Sequence, residues 1–67
     1  MSQAEDRRAQ TAAARIVELE NIKISLEEAL GHAQRAYPPH GSRRIELLIH
    51  AAIRETNIQI ENLRSLP

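Results

Sequence analysis

Apolar residues recur along this chain at helical spacing on either side of one proline-bearing break. With residues set at 100° intervals, Ile16, Leu19, Ile22, Leu26, Leu30, Ala33 and Tyr37 fall within about 60° of one direction. Beyond the break, Ile45, Leu48, Ile49, Ala52, Ile60, Leu63 and Leu66 form a second such stripe. The break is Tyr37-Pro38-Pro39-His40-Gly41-Ser42. Two consecutive prolines cannot continue a helix, and the residue before them is pushed toward extended geometry. Gly41 can take left-handed dihedrals, and Ser42 suits an N-cap. The pattern predicts an all-α chain, one unit spanning residues 1–67. Helix one should run over about 3–36, a loop over 37–42, and helix two over about 43–65. The two form an antiparallel hairpin, completed by helices of a partner or of a second copy.

Local signals sharpen the ends. Ser2-Gln3-Ala4-Glu5 has capping-box spacing, and Glu5 and Asp6 suit the positive end of a helix dipole. Arg43 and Arg44 would sit awkwardly at that same end of helix two, either as solvated side chains or held for an acidic partner. Residues 3–14 carry no large apolar side chain, and the hairpin leaves them without an intrachain neighbour. They are either a solvated overhang or a segment that orders on a partner. Pairing outward from the loop sets Leu30 near Ile49, Leu26 near Ala52 or Ile53, and Leu19 near Ile60. Lys23 and Thr56 intrude on the stripes nearly opposite each other. They are either a polar layer that fixes register or a lysine stem passing the core.

Four large aliphatic residues project well away from the stripes. Val17 and Ile24 project about 150° from the stripe of helix one. Leu47 and Ile58 project about 140–160° from that of helix two, with Ala51 between them. Single exposed aliphatics are ordinary, but two per helix, each pair on one side, form a second seam of the kind a helix between neighbours shows. Val17, Ile24, Leu47, Ala51 and Ile58 are therefore the candidate partner-binding residues.

Composition narrows the rest. A chain of 67 residues buries only about 60% of its unfolded surface, and small domains usually need disulfides, a metal or a partner. There is no cysteine, and Tyr37 is the only aromatic residue. The missing cysteine removes disulfides and thiolate metal sites together, while His32 and His50 lack a second ligand one turn away. Neither a metal nor any other cofactor is expected. Glu27 and Glu28 are adjacent and diverge on a helix, no nucleophile–base pair is visible, and no glycine-rich phosphate loop exists. An enzyme is not expected. Nine basic and nine acidic residues cancel, and Arg7, Arg8, Arg15, Arg43 and Arg44 are interleaved with acids and lack stacking aromatics, so nucleic acid is not the expected partner. The arginines fit surface ion pairs instead, such as Glu46 with Arg43 or Glu61 with Arg64. No apolar run approaches the roughly 20 residues of a membrane span, and the N-terminus lacks a secretory pattern, which makes a cytoplasmic location the expectation.

The layout of helix, short loop and second helix resembles the YscE-like family, small bacterial co-chaperones of the type III secretion needle subunit. Ile24-Ser25-Leu26-Glu27-Glu28-Ala29-Leu30 is similar to the amphipathic segment before that family's loop. Ala51-Ala52-Ile53-Arg54-Glu55-Thr56-Asn57-Ile58-Gln59-Ile60 is similar to its second helix. The resemblance implies a cytoplasmic protein that binds a larger helical-repeat chaperone, the two together keeping the needle subunit unpolymerised. Two alternatives stand beside it: a homodimeric four-helix-bundle regulator of the Rop type, which binds RNA across helix faces, and a small phage or toxin–antitoxin regulator.

Overall fold

The computed structural model describes residues 3–36 and 39–66 of the chain, and the side chains of 11–36 and 42–66. Two helices, α1 (Gln3–Arg35) and α2 (Pro39–Arg64), pack against each other. The described residues contain no strand, and the chain is an all-α hairpin. Ser2 and Tyr37 lie outside the described residues, and with them the proposed cap and the loop end of the first stripe.

α2 begins four residues earlier than the sequence suggests. Proline is compatible with the first turn of a helix, where its missing N–H has no intrahelical acceptor in any case. Residues 39–42 of the expected loop therefore belong to α2. Two consequences follow. Ser42 does not cap the helix but lies inside it, 7% exposed. Arg43 and Arg44 fall past the first turn, away from the strongest part of the dipole, and both stay exposed. At the other ends, His32 and Arg35 in the last turn of α1 suit its negative pole. α2 is closed by Ser65, whose backbone N–H and hydroxyl both donate to the carbonyl of Glu61, at 3.0 and 2.9 Å.

The buried seam follows a seven-residue repeat. On α1 it runs through Ala12, Ile16, Leu19, Lys23, Leu26, Leu30 and Ala33, in steps of four and three. On α2 it runs through Ser42, Glu46, Ile49, Ile53, Thr56, Ile60 and Leu63, in the same steps. Such a 3.5-residue period keeps a seam facing one partner along the length of both helices. This corrects the stripes drawn at 100° per residue. Ile22 is 48% exposed, because of positions 22 and 23 only Lys23 continues the ladder set by Ile16, Leu19, Leu26 and Leu30. On α2, Ile45, Leu48 and Leu66 are exposed too, at 51%, 62% and 59%. The apolar sector of α2 is wider than one neighbouring helix can cover, and the seam takes the edge that holds Ile53 and Thr56.

The polar seam positions are accommodated locally. Thr56 is 7% exposed, and its hydroxyl donates to the carbonyl of Ala52 on its own helix at 2.7 Å, so it asks nothing of α1. Lys23 is half-buried, with its stem in the seam and Glu20 and Glu27 one turn to either side. At the open end Arg64 reaches Glu20 at 3.0 Å and Glu61 at 3.7 Å. Both partners of the longer-range pair are about half exposed, which limits it to under about 1 kcal/mol. The expected Glu46–Arg43 pair does not form: Glu46 lies half-buried in the seam while Arg43 points to solvent.

Gly31 sits inside α1, where glycine costs helix stability without an evident need. An added Cβ would meet only the guanidinium of Arg35, at 3.3 Å, the far end of a flexible side chain. Gly31→Ala is expected to stabilise the fold by about 0.5–1 kcal/mol. In a thermal melt followed by circular dichroism, a midpoint several degrees higher is the result to look for. A lower midpoint would mean that Arg35, which also donates to Nδ1 of His32 at 3.4 Å, cannot move aside.

Candidate protein-interaction surfaces

What the hairpin leaves uncovered is more informative than what it buries. Its long axis measures 57 Å against 14 and 10 Å across, and its radius of gyration is 16.1 Å where a compact chain of this length would have about 11 Å. The accessible surface is 5560 Å², compared with about 4,300 Å² for a compact monomer of its mass. Folding thus buries only about half of the unfolded chain's surface, less than the roughly 60% usual at this size. Ala33 and Ile60 are the buried apolar residues among those described. Half of the chain's Val, Ile and Leu residues are exposed.

These exposed residues fall on three surfaces. Val17 and Ile24, 56% and 55% exposed, lie on the outer side of α1. Leu47, Ala51 and Ile58 lie on the outer side of α2, Leu47 at 61% and Ile58 at 47%. The structure sets the members of each group along one helix, and Ile24 also lines the groove that α1 shares with Asn57 and Ile60 of α2. They make two lines, not one patch.

The third surface was missed by the sequence stripes, which placed Ile22, Ile45, Leu48 and Ala52 in the core and left Ala29 unassigned. One broad side of the hairpin carries charge on both helices: Glu20, Lys23 and Glu27 of α1 line a groove with Asn57, Glu61 and Arg64 of α2, together with Ile24 and Ile60. On α1, Ile22 and Ala29 turn from the seam in the opposite sense to Glu20 and Glu27. On α2, Ile45, Leu48 and Ala52 turn oppositely to Asn57 and Glu61. All five therefore share the other broad side. The signal that would have found them is the strict four-three ladder, which assigns the seam to Lys23 and leaves Ile22 outside.

No grouping of three His, Cys, Asp or Glu side chains suited to a metal occurs among the described residues. No helix among them is long and apolar enough to cross a membrane. The grooves are open and lined by side chains of ordinary solvated helices; the one at the open end is formed by Thr11, Ala14, Arg15, Glu18 and Leu19. Neither carries a nucleophile beside a base. Comparison with protein-family models, with characterised proteins and with solved structures gives no match to this chain.

Proposed function

We propose that this chain is a helical protein–protein interaction module whose partners supply the apolar cover that the hairpin lacks. The observation that carries this reading is the exposure of half its large aliphatic residues in organised lines, on a fold with no fully buried large side chain among those described. Apolar patches of that extent on a small protein mark interaction surfaces. The resemblance to the YscE-like family supplies the finer form of the proposal. The module is a cytoplasmic co-chaperone: it docks on a helical-repeat chaperone, and together they hold a polymerising secretion subunit as a soluble monomer. The physical logic is coherent, because a subunit that polymerises through an apolar helix needs that helix covered before assembly, and a chaperone with helical repeats offers grooves for helices on both of its sides. Val17 and Ile24 on α1, and Leu47, Ala51 and Ile58 on α2, are the contacts this reading assigns to the partner.

The test is co-purification of the chain with a co-expressed helical-repeat chaperone of the kind the resemblance implies, compared with a Val17→Asp, Ile24→Asp double variant. Both side chains are exposed, so the hairpin should keep its helicity. Loss of two desolvated aliphatic anchors should weaken the complex by about 100-fold or more. A complex of unchanged affinity would remove the α1 line from the proposal. The alternative of a Rop-type regulator has support for its homodimeric half in the apolar broad side. Its RNA-binding half has none, since the polar side sets Glu20, Glu27 and Glu61 among Lys23 and Arg64 and so carries no basic field for phosphates.

A further inference from the structure

We infer that the half of the hairpin next to the connection is a docking surface for an acidic helix of a partner protein, held by Arg43 and Arg54 of α2 and Arg35 of α1. The inference deepens the reading as an interaction module by naming the chemistry of a partner segment. It uses none of the aliphatic residues assigned above, so either can fail without the other.

The net charge of zero hides a separation along the rod. The Glu20–Arg64 contact, and the groove that Glu27 shares with Asn57, set residues 20–27 of α1 level with 57–64 of α2. Residues 31–54 therefore lie on the connection side of that level. They hold four arginines, Arg35, Arg43, Arg44 and Arg54, against one acid, Glu46, which is half-buried in the seam. Residues 11–30 and 55–66 hold six glutamates against Arg15, Lys23 and Arg64. One half of the hairpin thus carries a surplus of three positive charges and the other an equal negative surplus.

The positive half is not neutralised from within. The ion pairs among the described residues join Arg64 to Glu20 and to Glu61. Arg35, Arg43, Arg44 and Arg54 are all exposed and take part in neither. Arg43, His50 and Arg54, at spacings of seven and four, fall within about 40° of one another on α2. On α1 the side of Glu20 and Glu27 continues, four residues on, to Gly31. No acid stands there, and the guanidinium of Arg35 lies 3.3 Å from where a Cβ would be.

The extent of the line selects its occupant. Arg43 to Arg54 spans about 16 Å, and Glu61, seven residues further along the same side of α2, reverses the sign. A nucleic acid or an anionic membrane running along the rod would meet Glu27 and Glu61, and no aromatic residue among those described is there to stack a base. An acidic helix lying along α2 repeats the spacing of α2 itself. Carboxylates at its positions i and i+11 meet Arg43 and Arg54, and each guanidinium can hold one through two hydrogen bonds. Exposed pairs of this kind govern encounter rate and register more than affinity.

Titration of the isotopically labelled full chain at low salt, followed by amide chemical shifts, tests the surface. The probe is a synthetic helical peptide with glutamates at i, i+7 and i+11. Shifts should gather at Arg35, Arg43 and Arg54 and leave Glu20 and Glu61 in place. Raising the ionic strength from about 0.01 to about 0.15 M should weaken binding several-fold, as the screening length falls from about 30 to about 8 Å. Arg43→Glu with Arg54→Glu, both at exposed positions, should keep the helical circular dichroism and weaken the peptide by about tenfold or more. Arg15→Glu, in the acidic half, should change the affinity by less than about twofold. The Val17→Asp, Ile24→Asp variant should take up the peptide unchanged, which separates this surface from the aliphatic lines. An absence of shifts at low salt overturns the inference. So do shifts centred on the acidic half, or a double arginine variant that binds as the wild type does. So does a single-stranded oligonucleotide of equal charge, or an anionic vesicle, that engages the same arginines more tightly than the peptide.

Discussion

Ile60→Ala is expected to cost about 2–4 kcal/mol, enough to leave the isolated chain largely unfolded at physiological temperature. Ile60 is 5% exposed and is the most deeply buried large side chain among those described. Globular domains carry only about 0.05–0.15 kcal/mol of stability per residue, and this hairpin, with its thin seam, belongs at the low end of that range. Removing three carbons from the seam loses their transfer free energy and opens a cavity between two helices that have few other contacts to fall back on. The internal control is Ile58→Ala. Two residues away on the same helix, Ile58 is 47% exposed, and its truncation should cost under about 1 kcal/mol. Urea titrations of the two variants, followed by helical ellipticity, make the comparison. Equal losses would mean that Ile58 is as covered in solution as Ile60, so that the outer side of α2 is already occupied.

The second large effect runs the other way. Lys23→Leu combined with Thr56→Val should raise stability by about 1–2 kcal/mol, read as a higher urea midpoint at unchanged slope. Lys23 occupies a seam position with a flexible charged chain, so a leucine there adds apolar contact and removes the need to lead an ammonium group back to water. Thr56 spends its hydroxyl on the carbonyl of Ala52, which the helix's own N–H of residue 56 also serves, so valine leaves no buried group without a partner. If these two residues instead hold the helices in register, the double variant should gain stability but lose uniqueness, visible as extra amide resonances for Leu19 and Ile53. A lower urea midpoint would show that Lys23 makes a favourable contribution in the seam.

Much of the hairpin is legible in the sequence, and the reason is local. Pro38-Pro39 forces a break, and the long stretches on each side carry apolar side chains at helical period, which leaves few options besides two helices folded back on each other. The exact start of α2 is less legible, because Pro39 serves equally as a loop residue or as a first-turn residue. The rotation of each helix about its own axis is least legible. Ile45, Leu48, Ile49, Ala52, Ile53 and Ile60 fill so wide a sector of α2 that its average direction points between two possible seams. Only the pairing with α1 resolves which edge is buried. Ile22 and Lys23 show the same ambiguity: hydrophobicity favours the isoleucine, while the four-three ladder favours the lysine. The outer aliphatics Val17, Ile24, Leu47 and Ile58 stand so far from either seam that their exposure does not depend on that choice. What covers them is not written in a single chain, since the complementary surface belongs to another molecule.

The geometry of the seam also sets an order of events in folding. Next to the connection, Ala33 and Ser42 lie close together along the chain, whereas at the open end Ala12 and Leu63 are separated by most of its length. Closing a longer loop costs more entropy, so the layers at the connection form first and each one shortens the loop that the next must close. The hairpin should therefore zip from its small-residue end outward, with the Glu20–Arg64 clasp closing late and opening early. Its kinetics would be those of a low-contact-order protein, fast in both directions, and its open end would spend the most time apart.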